Sequence, residues 1–189
     1  MNDEYIQGTF VTLRPATLKD RRMIYEWLAH SDVTPSMIGP PTYPDHAIPT
    51  WEEFCDDYLL HYFSDDCPEL GRCFVIMANN NIVGQVNYNR IDNFAKWTEL
   101  DIWMCSEENC GKGFGPDALK TLCEYLFANL DVLEFFIQPS SRNRRAIRAY
   151  EKAGFQKTGL SVKEAESVYG HASSTDSVYM VKKMGYSRL

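Results

Sequence analysis

At 189 residues, with 44% hydrophobic and 13% aromatic side chains, the chain can bury one sizeable core unaided and is too apolar for disorder. A net charge of −7 argues against nucleic acid as a partner. No apolar run nears the roughly 20 residues that cross a bilayer, and the acidic opening MNDEYIQG lacks the basic and apolar regions of a signal peptide, so a cytoplasmic protein with no membrane partner is expected.

Phe10–Leu13 reads as a first strand, ended by Arg14-Pro15. Thr17 offers an N-cap with Asp20 at the third helical position, and Met23, Ile24, Trp27 and Leu28 recur at helical spacing, which predicts a helix to about Ala29. Pro35, Pro40, Pro41, Pro44 and Pro49 then exclude regular structure, and so long a loop in a compact domain points to function. Thr50 and Glu53 make a capping box, from which Trp51, Phe54, Tyr58 and Tyr62 continue as one amphipathic helix with an acidic outer face.

Cys73–Ala78 and Ile82–Ile91 read as strands joined through Asn79-Asn80-Asn81, since asparagine tolerates left-handed backbone angles. Trp97–Cys105 is a further strand. Its Leu100, Ile102 and Met104 share a core face, while Glu99, Asp101, Trp103 and Cys105 share the other, which is expected to line a cleft. The glycine run Gly111–Gly115 leads into a helix with Pro116 in its first turn and Leu119, Leu122 and Leu126 as its buried stripe. Leu133–Gln138 is a strand, Asn143–Lys152 a helix capped by Gly154, and Phe155–Thr158 and Val178–Met184 are closing strands, with residues 159–177 ambiguous. This order predicts one α/β domain over residues 1–189, built on a mixed sheet.

Charge is unevenly spread. From Met23 to Gly71 there is no Lys or Arg, and the stretch carries acids that include Glu52 and Asp56; the region Arg142–Arg148 is basic. That polarity suits an anionic cofactor on one side and a cationic substrate on the other. The six cysteines form no CxxC pair and the four histidines supply no ligand spacing, so no metal is expected.

Two segments carry the chemistry. Gly111–Gly115, GKGFG, opens a helix, an arrangement that aims unpaired backbone N–H groups at an anion. Asn143–Phe155, NRRAIRAYEKAGF, is a short helix with Arg144, Arg145 and Arg148 near its start and Tyr150 inside it. Together they describe a site for a phosphate-bearing carrier with a phenol close by.

Cys110-Gly111-Lys112-Gly113-Phe114-Gly115 is similar to the Q/R-x-x-G-x-G/A acetyl-CoA motif of GNAT N-acetyltransferases, with Cys110 in place of the usual Gln or Arg, and NRRAIRAYEKAGF resembles a later helix of that family. The resemblance runs from about Phe10 to the C-terminus. It implies a single-domain GNAT fold with a central sheet of about six to seven strands, acetyl-CoA as cofactor, and direct transfer of its acetyl group to a primary amine by a monomer or homodimer. It also implies cofactor contacts from Trp103, Met104 and Cys105, from Cys110 through Gly115 (Lys112 and Phe114 included), and from Asn143, Arg145 and Ala146, with Tyr150 near the sulfur. A closer similarity is to aminoglycoside 6'-N-acetyltransferases. Their aspartate ten residues before the first motif glycine, proposed as base and substrate anchor, falls on Asp101, and their second substrate-binding aspartate falls on Gln138. The strand ending in Leu-Arg-Pro before a capped helix is also similar to Rim-type ribosomal-protein acetyltransferases.

An ammonium is no nucleophile until it loses a proton, and a carboxylate on the cleft face of a strand can hold the cation and accept that proton. Asp101 is the expected base and Glu99 the alternative. Tyr150 suits protonation of a departing thiolate, because a phenol is neutral at working pH and can donate. Backbone N–H near Trp103–Cys105 would take the thioester oxygen, as the family's strands do. Cys105 and Cys110 have no histidine nearby in sequence and are expected to be structural thiols. A polyamine-like or aminoglycoside-like acceptor fits an acidic wall that includes Glu52 and Asp56; a peptide N-terminus is the alternative acceptor, and a noncatalytic CoA-binding module the alternative from another class.

Overall fold

The computed structural model describes residues 5–38, 48–170 and 176–185. Among the described residues, eight strands form one mixed sheet in the order β1-β2-β3-β4-β5-β6-β8-β7. They are β1 (Ile6–Gln7), β2 (Thr12–Pro15), β3 (Arg72–Ala78), β4 (Asn81–Tyr88), β5 (Trp97–Met104), β6 (Glu134–Ile137), β7 (Gln156–Lys157) and β8 (Met180–Lys183). The strand beyond the expected six to seven is β1, whose two residues are too few to leave an alternating pattern. The β3–β4 hairpin closes with Ala78 opposite Asn81, and Asn79 (φ 50°) and Asn80 (φ 63°) supply the successive left-handed residues such a tight turn needs.

The helices are α1 (Arg21–His30), α2 (Thr34–Ile38), α3 (Trp51–Asp57), α4 (Phe114–Leu130), α5 (Arg144–Ala153) and α6 (Val162–Tyr169). On one face of the sheet, Leu119, Leu122 and Leu126 of α4 and Ile147 of α5 pack over Leu13, Ile76, Val86, Leu100 and Phe135. On the other, Ile24 and Tyr25 of α1 and Phe54 of α3 cover Cys73, Val75 and Trp103. Farther along that second face, Tyr169 of α6 stacks on Phe136 with ring centroids 4.0 Å apart.

The structure moves several expected elements. Helix α1 starts at Arg21, because Asp20 ends the turn before it. The Asp20 carboxylate accepts from Thr17 N (2.8 Å) and Oγ1 (2.9 Å) and pairs with Arg14 (2.8 Å). Pro35 lies inside α2, in the first turn, where its missing N–H costs no helical bond. Of the other prolines of the expected loop, Pro40, Pro41 and Pro44 lie outside the described residues, and Pro49 lies just before α3 without regular structure. Helix α3 ends at Asp57 and does not reach Tyr62; Tyr58 leaves the helical region (φ −98°, ψ 74°) and a 3-10 turn, Leu60–Phe63, follows. Arg21 Nη2 donates to the carbonyls of Cys55 (2.7 Å) and Tyr58 (2.5 Å), which a helix end leaves without partners.

Helix α4 is fastened to the N-terminal hairpin by Asp117. Its buried carboxylate accepts from the amides of Thr9 (3.2 Å), Phe10 (2.6 Å) and Val11 (3.0 Å). Gly8 makes room for this junction, since a Cβ there would lie 2.5 Å from Thr121 Oγ1 and 2.8 Å from Asp117 Oδ2. Asp117→Ala would strand these amides, and a loss of about 3 kcal/mol in unfolding free energy is expected. A urea titration checks this: the midpoint should fall with the slope unchanged, and an unmoved midpoint would make the junction incidental.

Candidate active site

The cleft opens where β5 and β6 part. Their parallel pairing runs through Trp97↔Glu134 and Thr98↔Phe135 and ends at Glu99↔Phe136, whereas β5 stays paired with β4 as far as Met104↔Gly84. Asn89 N donates to Glu99 O (2.9 Å) and Cys105 N to Val83 O (2.9 Å). In an antiparallel ladder these bonds alternate, so the peptide groups of Glu99, Asp101, Trp103 and Cys105 face β4, and the N–H groups of Ile102 and Met104 face the gap. Of the three residues expected to offer a backbone donor, Met104 therefore does so; the Cys105 amide is already engaged.

The cavity at this gap has a volume of about 790 Å³, and Asp101, Met104, Gly113, Gln138, Ala146 and Tyr150 all line it. The glycine turn forms one lip. After a short 3-10 turn, Glu107–Asn109, the chain passes through Gly111 (φ 75°) and Gly113 (φ 88°), the second of which is the cap residue of α4. The first-turn amides of α4 have no carbonyl behind them in the helix, and the helix dipole adds positive potential there. This is a cradle for a phosphate-bearing group. Cys110, Gly111, Lys112 and Gly115 line the same cavity, but Phe114 packs against the core and Cys105 lies outside the lining, its thiol directed at Ile82 O (3.7 Å). Burial pushes the Cys110 thiol up, so it is no ready thiolate.

The opposite lip is the start of α5. Asn143 is its N-cap, with Oδ1 accepting from Ala146 N (3.0 Å) and Nδ2 donating to Ser36 O of α2 (2.8 Å). Arg145 forms a two-pronged ion pair with Glu107 on the other lip, with Nη2 to Oε1 at 2.7 Å. Glu107 also accepts from Ser36 Oγ (3.1 Å), and its amide donates to Asp32 (2.8 Å). The Arg145 bond holds the Glu107 carboxyl below its ordinary range. Helix α2 thus straps the two lips together. Sequence reading did not single out Glu107 or Ser36, and nothing local marks a pairing 38 residues distant.

Tyr150 is buried against the cavity. Burial, and then the nearby charge of Asp101, push its phenol well above the ordinary value, so it remains a proton donor throughout the working range. Asp101 lines the cavity, with Asn87 Nδ2 and Asn89 Nδ2 each 3.4 Å from its Oδ2. Glu99 is more enclosed. Its Oε1 accepts from Gln138 Nε2 (2.6 Å) and its Oε2 from Asn89 Nδ2 (3.3 Å), and it borders a separate cavity of about 530 Å³ beside Asp92 and Trp97. Glu52 and Asp56 are exposed on α3 and border neither cavity, so the acidic wall expected of them is a solvent face. Among the described residues, Asn87, Asn89, Tyr58 and Tyr62 are polar groups that face Asp101. The period-two spacing of Asn87 on β4 and Asn89 just beyond it marks a shared face, but only the fold shows which face it is.

Among the described residues, no three His, Cys, Asp or Glu side chains converge as a metal would require, and no helix is long and apolar enough to cross a membrane.

Comparison with known proteins adds to this geometry. A model of the acetyltransferase (GNAT) domain matches residues 11–156. The aminoglycoside N(6')-acetyltransferase type 1 of Klebsiella pneumoniae is 30% identical over 170 residues, spanning 84% of this chain and 81% of its own length. The structure of AAC(6')-Ib in complex with paromomycin and acetyl-CoA superimposes with a TM-score of 0.67 at 27% identity, covering 92% of this chain and 93% of that one. Spermidine N-acetyltransferase from Vibrio cholerae, in complex with CoA and spermine, gives a TM-score of 0.67 at 21% identity over 93% of this chain and 96% of its own, a likeness of fold.

Proposed function

The chain belongs to the GNAT acetyltransferase family, and from that premise we propose that it acetylates a cationic amine of aminoglycoside or polyamine type by direct attack, with the acceptor held at Asp101. Acetyl-CoA-dependent N-acetylation comes with the family; the acceptor and the residue roles are our reading. Acetyl-CoA supplies the acetyl group and leaves as the free thiol. The turn Gly111–Gly115 and the first amides of α4 would hold its diphosphate, with Lys112 and Arg148 beside them in the same cavity. The Met104 N–H faces the place where a thioester oxygen would develop charge. Asn143 acts by holding α5 to α2, since both ends of its side chain are already bonded.

Asp101 would receive the acceptor as an ammonium, take one proton and release it to solvent. The freed amine forms its C–N bond to the thioester carbon, the C–S bond breaks as Tyr150 Oη gives its proton to the sulfur, and the second nitrogen proton leaves to solvent, from which Tyr150 regains one. One observation carries this assignment: a cleft-facing carboxylate and a buried, protonated phenol line the same gap in the sheet. Asp101 lines this cavity and Glu99 borders the separate one, which favours Asp101 over Glu99 as the base. We read the protein as one cytoplasmic domain over residues 1–189, working as a monomer or homodimer.

Support for a polycationic acceptor comes from the named substrates of the relatives and from the Asp101 carboxylate in the cleft. Gln138 lies at a position where the aminoglycoside enzymes carry an acid, and here it donates to Glu99. A thiol-release assay with acetyl-CoA against kanamycin, tobramycin, spermidine and short peptides tests the reading. Turnover with the polycations is expected; turnover with peptides alone would replace the acceptor class and leave N-acetyl transfer in place.

A further inference from the structure

Gln85, Asn87 and Asn89 form a column of carboxamides down the sheet face that carries Asp101, and the first two are fully buried. Buried amides on an otherwise apolar face are costly unless their groups are hydrogen-bonded. Here the donors all run one way. Gln85 Nε2 donates to Asn87 Oδ1 (3.2 Å), Asn87 Nδ2 to Asn89 Oδ1 (3.0 Å), and Asn89 Nδ2 to Glu99 Oε2 (3.3 Å) and Asp101 Oδ2 (3.4 Å). Asn87 Nδ2 is also 3.4 Å from Asp101 Oδ2. Tyr58 OH donates to Asn87 Oδ1 (3.3 Å) and Tyr62 OH to Asn89 Oδ1 (3.1 Å), so each asparagine oxygen is satisfied and each NH₂ is turned toward the acids.

We propose that Asn87 and Asn89 are positioning residues of the acceptor site: the one-way column holds the Asp101 carboxylate charged and turned into the cleft, ready for a cation. The inference rests on the reading of Asp101 as the acceptor's anchor. A second carboxylate two residues away disfavours a charged Asp101, and hydrogen bonds donated to the charged form oppose that effect. The titratable groups facing Asp101 among the described residues are Glu99 on its own strand, Tyr58 and Tyr62 from the α3 side, Cys73 from β3 and Tyr150 from α5. Burial pushes the three phenols and the thiol up, so they carry no charge at working pH. Among the described residues the charge that opposes a charged Asp101 is that of Glu99, and the amides counter it.

The test is kcat/KM against pH, with one acceptor, for wild type, Asn89→Ala, Asn89→Asp and Tyr62→Phe, and with Asp101→Asn as control. Both Asn89 substitutions should move the acidic limb to higher pH by about one unit, so that their rate relative to wild type is unchanged well above the limb and falls by about tenfold below the wild-type limb. Tyr62→Phe keeps the ring but loses the donor behind Asn89, and it should move the limb the same way by less; it carries the test if the Asn89 variants do not fold. A rate loss equal at every pH would overturn the proposal. If Asp101→Asn kept the wild-type rate and limb, the reading of Asp101 itself would fail; if it abolished turnover while the other variants left the limb unmoved, only the role of the column would fall.

Discussion

Asp101→Asn is expected to slow acetyl transfer by about 10²–10⁴ at neutral pH, with acetyl-CoA affinity nearly intact. The substitution keeps the shape of the side chain and its place in the cleft beside Asn87 and Asn89. It removes the charge that would hold an ammonium and the oxygen that would take its proton. Glu99 is poorly placed to substitute, because Gln138 and Asn89 hold its two oxygens and it borders a different cavity. Steady-state kinetics with a verified acceptor, together with calorimetry for acetyl-CoA, separate the two halves of the expectation. A wild-type rate would remove Asp101 from the chemistry, and a lost cofactor affinity would make it a structural element of the cleft.

Tyr150→Phe should lower kcat by about 10²-fold with little change in the KM for acetyl-CoA. The ring packs beside Phe155, with centroids 6.4 Å apart, and phenylalanine preserves that contact. What is lost is a single O–H that burial and the Asp101 charge keep protonated. The sign of that shift has a consequence for pH. A donor whose pKa is raised stays competent as pH rises, so Tyr150 adds no alkaline limb within the ordinary assay range. Single-turnover rates at saturating acetyl-CoA check the prediction. An intact kcat with a raised KM would assign Tyr150 to packing and cofactor fit.

Much of the scaffold was legible in the residues because its signals are local. The Thr50–Glu53 box forms in both directions, at 2.8 and 3.2 Å, and Gly154 takes the left-handed cap angle of 97°. Alternation along β5 separates Leu100 from Asp101 and Trp103, as the two cores require. Helix α6 also carried a readable signal: Ser161 and Glu164 form a second capping box in a stretch the hydrophobic pattern leaves ambiguous. Other features had no local signature. The stop in α3 at Asp57 depends on Arg21 reaching its terminal carbonyls, and this stop lets Tyr58 and Tyr62 address Asn87 and Asn89. The acids of α3 are a different case. A charged helical stripe announces a surface, and Glu52 and Asp56 are exposed and line neither of the two cavities described above. The cleft itself was visible only as its parts, because the parting of β5 from β6 is a property of pairing between distant segments.

The surroundings of Gly111 and Gly113 hold one more lesson. An added methyl would meet nothing within 4 Å at either position, yet both residues sit at backbone angles that ordinary side chains rarely adopt. The turn therefore selects glycine for handedness and not for size. A D-alanine introduced by chemical ligation would occupy either position at its natural angle, whereas its mirror image would strain the loop with ample space around it.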